Sequence, residues 1–275
     1  MPNKIALVTG ASSGIGESTA RHLLDLGFTV YAAARRVDRM RSLALAGVHV
    51  VAVDLSDDAS MVALVGGIIA AEGRIDVLVN NAGYGSYGAL EDVPIAEARH
   101  QFEVNVFGLA RLTQLVLPHQ RAKRDGYIVN ISSIGGKIWE PLGSWYHATK
   151  FAVEGLSDSL RAETAGFGIK VVVIEPGVIK SEWAAISADN LDAASGGSAY
   201  GDQARKLAAN YRSVNGERIA SDPIVVARAI GRAVTSRRPK TRYAVGGGAT
   251  LVLFVKRILP DRAFDRFIRR TLRLN

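Results

Sequence analysis

Ile5-Ala6-Leu7-Val8-Thr9-Gly10-Ala11-Ser12-Ser13-Gly14-Ile15-Gly16 sets an apolar, β-rich run directly before three glycines. An amphipathic stretch over 15–26 follows. Together they predict a strand that turns sharply into a helix N-terminus. Bare glycines at such a turn let a phosphate reach backbone N–H groups and the positive end of the helix dipole. The spacing is G-x-x-x-G-x-G rather than G-x-G-x-x-G, so its position after a first strand carries the argument.

Outward from this turn the pattern repeats. Short apolar or β-branched runs at 5–9, 29–34, 49–53, 77–80, 127–131 and 170–174 alternate with helical periodicity at 15–26, 37–46, 58–72, 95–121 and 144–165. Parallel strands need such crossovers, which wind right-handed. The runs Ala6-Leu7-Val8 and Val171-Val172-Val173-Ile174 are apolar on both faces, as they are when helices cover both sides of a sheet. The expected fold is therefore an α/β, doubly wound, Rossmann-type parallel sheet flanked by helices on both faces. We expect a single domain over 1–248, with a mobile, weakly regular substrate cover at 177–220 around Ser195-Gly196-Gly197-Ser198. A helix is expected at 222–236 and a last strand at 242–245. A basic amphipathic helical extension should occupy 249–275, broken at Pro260.

Composition narrows the chemistry. With 275 residues, nearly half of them apolar, the chain suffices for one large core. There is no cysteine, which removes thiolate nucleophiles, disulfides and cysteine-held metal centres, and fits a reducing, cytoplasmic setting. The first apolar run is too short for a signal peptide or a membrane span. The formal charge of +8 is concentrated in 256–275, which holds seven Lys/Arg against two Asp, leaving 27 against 24 elsewhere. That balance argues against a nucleic-acid partner. The five histidines, His22, His49, His100, His119 and His147, have no metal-ligand spacing, so no metal is expected.

At the end of the second strand, where an acid would meet a ribose 2′-hydroxyl, stand Ala34-Arg35-Arg36. Guanidinium groups favour a 2′-phosphate and hence NADP(H) over NAD(H). Asp54 closes the third strand, placed either to cap the next helix or to meet an adenine. Tyr146 and Lys150 lie four apart in a predicted helix and share a face. An ammonium beside a tyrosine would lower its pKa from about 10 and make it a usable acid/base. Ile131-Ser132-Ser133 ends a strand at the same sheet edge, as does Asn80-Asn81-Ala82-Gly83, and Asn105 is polar within an apolar helix.

Taken together, Thr9-Gly10-(x)3-Gly14-x-Gly16, Asn80-Asn81-Ala82-Gly83, Asn105, Ser133, Tyr146-(x)3-Lys150 and Pro176-Gly177 resemble the short-chain dehydrogenase/reductases over roughly 4–245. The resemblance implies that Tyr146 exchanges a proton with the substrate oxygen and that Ser133, rather than Ser132, holds that oxygen. It further implies that Lys150 lowers the tyrosine pKa and grips the nicotinamide ribose, and that Asn105 binds a relay water. It carries Gly10, Ser12, Ser13, Gly14, Ile15 and Gly16 to the pyrophosphate, with Arg35 and Arg36 at the 2′-phosphate. Asp54 and Leu55 go to the adenine, Asn81, Ala82 and Gly83 to the adenosine side, and Pro176, Gly177, Ile179 and Ser181 to the nicotinamide side. Ser181 stands where threonine is more usual.

The implied activity is NADP(H)-dependent interconversion of a ketone or aldehyde and an alcohol. Trp183, Ile186, Leu191, Tyr200 and Tyr211 suggest either an apolar substrate, such as a steroid, retinoid or long-chain ketone, or core packing of the cover itself. The family implies a homodimer or homotetramer. Packing or subunit contact is preferred to a membrane surface for the basic tail, and His147 reads as a packing or surface residue. Two other readings stand beside this one: a silent dinucleotide sensor, against which Ser133, Tyr146 and Lys150 argue, and a redox-neutral epimerase or dehydratase on the same fold.

Overall fold

The computed structural model describes residues 3–213 and 219–274. Among the described residues seven strands form one sheet: β1 (Ile5–Thr9), β2 (Thr29–Ala34), β3 (His49–Ala52), β4 (Val77–Asn80), β5 (Gly126–Ile131), β6 (Ile169–Pro176) and β7 (Arg242–Val245). Their order is β3-β2-β1-β4-β5-β6-β7, and every pairing is parallel. The chain order reverses between β1 and β4, which opens a crevice at the carboxyl ends of the strands.

Period-two alternation sorts the core into two layers. Ala6 and Val8 of β1, with Val30 and Ala32 of β2, face α1 (Gly14–Asp25) and α9 (Ile224–Thr235), where Leu23, Val226 and Ile230 close the layer. Ile5 and Leu7 face the other way, onto α3 (Asp58–Glu72) and α5 (Leu109–Lys123) through Leu64, Ile68, Leu112 and Val116. A short helix, α2 (Arg41–Leu45), follows a 3-10 turn at Val37–Met40. Asp57, not Asp54, caps α3, its carboxylate accepting from Ala59 N–H at 3.0 Å.

Two expectations about the helices change. The helix expected over 95–121 is α4 (Ile95–Phe102) and α5, joined by a π turn at Glu103–Gly108. Apolar spacing continues through the turn and conceals it. There Gly108 passes so close to β3's following loop that a Cβ would lie 2.6 Å from the Leu55 carbonyl oxygen. After α6 (Ser144–Thr164), the segment expected to be weakly regular contains α7 (Glu182–Ser195) and α8 (Gly201–Ser213), and the Gly-Ser run is only the turn between them. Leu191 and Ala188 of α7 pack with Ala204, Leu207 and Ala208 of α8. Residues 214–218 of the expected cover lie outside the described residues.

The tail forms α10 (Ala249–Ile258) and α11 (Asp261–Thr271), separated at Pro260. Leu251, Phe254 and Ile258 face outward as one stripe, whereas Val255 turns inward. Phe264 and Ile268 pack on Ile138, and the Lys256 ammonium sits 4.0 Å from the centre of the Trp139 ring. Trp139 Nε1–H donates to Asp265 Oδ1 at 2.8 Å. The tail thus buttresses the loop that leads into α6. Among the described residues, no helix is long and apolar enough to cross a membrane.

Candidate active site

The glycine turn is held from below by β4. Asn81 Nδ2 donates to the carbonyls of Thr9 (2.9 Å) and Gly10 (3.2 Å). The Thr9 hydroxyl in turn accepts from Asn81 and Ala82 N–H, each at 3.1 Å. Gly10 has φ +65°, and a Cβ there would lie 2.7 Å from Ala82 Cα. A Cβ on Gly16 would lie 2.3 Å from the Gly10 carbonyl oxygen. Bare backbone is therefore required where the turn meets both α1 and the 81–83 loop. The Asn81 amide, expected along an adenosine, is spent on bracing the turn.

This turn forms one end of a cavity of about 600 Å³. Gly10, Ser12, Ser13, Gly14 and Ile15 line it, and Arg35, Arg36, Asp54 and Leu55 continue the wall. Asn81, Ala82, Gly83, Pro176, Gly177, Ile179 and Ser181 line it as well, with Ser181 beside Gly14 of the turn. Ser133, Tyr146 and Lys150 stand further in. Two expected residues lie behind the wall: Gly16, buried under the turn, and Asn105. Asn105 Nδ2 donates to Tyr84 O (2.9 Å) and Thr149 Oγ1 (3.2 Å), while its Oδ1 accepts from Tyr84 N–H at 3.0 Å. Its amide is thus fully engaged in fixing the 83–84 loop.

Arg36 reaches from the end of β2 to the Ser12 hydroxyl at 3.4 Å and lies 3.9 Å from Glu182 at the start of α7. Arg39 pairs with the same carboxylate at 2.8 Å. Asp54 is held below the usual carboxylate range, first by hydrogen bonds from Ser56 and then by the charge of Arg35.

Ser133 accepts from Gly135 N–H at 3.0 Å and caps a 3-10 turn at Ile134–Gly136. The neighbouring Ser132 hydroxyl is buried, without a hydrogen-bond partner, where a Cβ on Gly136 would come within 2.7 Å of it. Both serines line the cavity, and it is the Ser133 hydroxyl that meets Tyr146. Tyr146 and Lys150 rise from one face of α6, both buried, with Lys150 Nζ 5.9 Å from the Tyr146 ring centre. Lys150 Nζ donates to Ile131 O at 2.9 Å. The ammonium was expected to lower the Tyr146 pKa. Instead burial raises Tyr146 to about 12, opposed by the Ser133 hydroxyl and assisted by the charge of Glu140. Burial also pushes Lys150 down to about 8, with Glu154 opposing.

His147 is buried and structural. Its Nε2 accepts from Glu140 N–H at 3.0 Å, so Nδ1 carries the hydrogen and donates to Gly135 O at 2.9 Å. Tyr87, Glu140, Trp183 and Tyr211 also line this inner end. Neither Tyr87 nor Glu140 belongs to a motif, and only their packing around Tyr146 brings them forward.

Residues 4–191 match the family model of the short chain dehydrogenases. This chain belongs to the short-chain dehydrogenase/reductase family. It is 38% identical over 282 residues to the uncharacterized oxidoreductase YusZ of Bacillus subtilis (strain 168), with 99% of each chain covered. It is 36% identical over 272 residues to the 3-ketodihydrosphingosine reductase of Bacteroides thetaiotaomicron, with 98% of each covered. The crystal structure of a short-chain dehydrogenase from Streptomyces avermitilis superposes with a TM-score of 0.81 at 34% identity, over 99% of this chain and 98% of that one. The family is one of oxidoreductases that use a nicotinamide dinucleotide. The bare glycine turn, the cavity running from it to Tyr146, and the guanidinium groups on its wall fit such a molecule in shape and charge.

Proposed function

We propose that this short-chain dehydrogenase/reductase reduces the carbonyl of an apolar ketone or aldehyde to an alcohol with NADPH, and runs the reverse with NADP+. The observation that carries the reading is the convergence of Ser133, Tyr146 and Lys150 in the cavity that begins at the glycine turn. When bound, the nicotinamide dinucleotide supplies or accepts the hydride. The protein's part is to hold the substrate oxygen and handle its proton. Ser133 donates to that oxygen, Tyr146 gives up its proton to it as the alcohol forms, and Lys150 holds the ribose. With the Asn105 amide engaged, a relay water at that residue would be bound by its main-chain carbonyl.

Preference for NADP(H) rests on Arg35 and Arg36, which flank the cavity beyond β2 and offer guanidinium groups to a 2′-phosphate. The pyrophosphate would lie on Gly10, Ser12, Ser13, Gly14 and Ile15, with the adenine against Asp54 and Leu55. Ile179 and Ser181 are suited to the carboxamide side. Trp183, Ile186 and Tyr211 give the substrate end an apolar lining. A relative that is named a 3-ketodihydrosphingosine reductase supports the long-chain ketone among the substrates considered.

The test is NADPH consumption with a ketone panel. Tyr146→Phe should still bind NADPH but lose turnover by about 100-fold or more. A variant with near-normal turnover would remove Tyr146 from the chemistry. Arg35→Asp should shift the preference toward NADH, and an unchanged NADPH/NADH ratio would refute the assignment of Arg35.

A further inference from the structure

Glu140 stands at the inner end of the cavity within Trp139-Glu140-Pro141. Its Oε2 accepts from the Tyr211 hydroxyl at 2.6 Å. No Lys, Arg or His among the described residues forms an ion pair with it; Glu72 and Glu97 likewise accept from a tyrosine hydroxyl without an ion pair, but of the three Glu140 is the one that lines the cavity. The buried acids Asp76 and Glu154 are matched, Asp76 by Arg74 and Glu154 by both Lys137 and Arg242. His147 is not the missing cation, because the ring nitrogen nearest Glu140 accepts from that residue's own backbone N–H. A half-buried carboxylate without a counter-ion costs folding free energy. On the wall of a cavity, a bound cation can supply that charge.

The rings beside it describe what that ligand must look like. Tyr146 lies 5.2 Å from Trp183 and 5.4 Å from Tyr87, centre to centre. Tyr211 lies 5.3 Å from Tyr87 and 5.8 Å from Trp183, and the Tyr87 and Tyr211 rings are nearly perpendicular. These rings pack on one another and, with Glu140, line the inner end of the cavity, where a carboxylate among aromatic rings suits an ammonium group. The charge of Glu140 reaches the hydroxyls of Tyr87, Tyr146 and Tyr211, all of which it pushes upward.

We propose that the substrate is an amino ketone whose ammonium group sits in the box of Tyr87, Tyr146, Trp183 and Tyr211 against Glu140. Tyr146 is both a wall of that box and the proposed donor to the carbonyl oxygen. The ammonium is therefore carried on a carbon close to the carbonyl, with an alkyl chain as the rest of the molecule. This rests on the reductase reading above and adds the substrate class to it.

The test compares three ketones of equal chain length with NADPH and the full chain at about pH 6.5, where an aliphatic amine is protonated. They are a 1-amino-2-alkanone, its N-acetyl derivative and the unsubstituted 2-alkanone. In the wild type, kcat/KM for the amino ketone should exceed that for the N-acetyl compound by about tenfold or more. The ratio should collapse toward one in Glu140→Gln, which can still accept from Tyr211, and survive in Glu140→Asp. Equal wild-type rates, or a ratio untouched by Glu140→Gln, would overturn the proposal.

A binding arm needs no turnover. By calorimetry, octylammonium should bind the wild type about tenfold or more tighter than octanol does. The difference should vanish in Glu140→Gln, and equal affinities would overturn the ammonium site. If no ketone consumes NADPH while octylammonium still shows its Glu140-dependent preference, the reductase reading is what fails.

Discussion

Replacing Glu175 by glutamine should remove a pH-dependent weakness from the fold. Glu175 ends β6 beside Glu154 of α6, and both side chains are only 5% exposed. Burial first, then the neighbouring charge of Glu154, raises Glu175 from 4.5 to about 7. Arg242 lies 3.5 Å from Glu175 and 3.0 Å from Glu154, and Lys137 lies 2.9 Å from Glu154, so the cations only partly offset the effect. A proton on Glu175 also gives Glu154 Oε1, which otherwise has no hydrogen-bond partner, a donor. The folded state therefore binds more protons than the unfolded chain between pH 4.5 and about 7. This contribution to stability is fully present below pH 4.5 and is lost as pH rises through about 7. At about 1.4 kcal/mol per pKa unit the displacement corresponds to about 3 kcal/mol. Relaxation and water penetration around the buried pair reduce this to about 2 kcal/mol. Glutamine keeps the shape and donates to Glu154 at every pH. In urea denaturation, Glu175→Gln and wild type should be nearly equally stable at about pH 4.5, and the variant about 2 kcal/mol more stable at about pH 8. A stability difference that is the same at both pH values would refute the buried-carboxyl argument.

Two further outcomes follow from packing and from hydroxyl placement. Phe264→Ala empties a fully buried site between α11 and Ile138 and should cost about 3–5 kcal/mol, read as a lowered urea midpoint; an unchanged midpoint would mean that the tail does not brace the 138–140 loop. Ser133→Ala should lower kcat/KM by about 100-fold, and Ser132→Ala by much less, because it is the Ser133 hydroxyl that meets Tyr146. The reverse order would exchange their assignments.

The sheet was legible because its strands are apolar on both faces and its turns carry glycine. Ala6 and Val8 face one helical layer and Ile5 and Leu7 the other, and no other arrangement buries all four. The glycine turn was legible for a related reason, since a residue type that alone tolerates φ +65° beside Ala82 leaves a mark in the sequence. The cover was harder. Ser195-Gly196-Gly197-Ser198 signals a turn, but the helices on either side bury mainly small residues, Ala184, Ser187 and Ala188 on one and Ala204 and Ala208 on the other, so their inner faces stand out little in the sequence. The π turn was concealed by periodicity that runs through it. Glu140 had no local signal at all, because its partner Tyr211 is 71 residues away in sequence.

The electrostatics at Tyr146 tie recognition to chemistry. A buried hydroxyl raised to about 12 keeps its proton at neutral pH, which is the form that carbonyl reduction consumes. The opposite direction needs the phenolate, which burial and Glu140 both disfavour. Lys150, engaged with the Ile131 carbonyl, does not offset them in the protein alone. An ammonium beside Glu140 would cancel that carboxylate's push and make the proton easier to release at the moment the substrate oxygen requires it. A neutral ketone in the same box leaves Glu140 unmatched and Tyr146 less acidic. The preference expected for an amino ketone should therefore appear in kcat as well as in KM, whereas an ammonium site remote from Tyr146 would change KM alone.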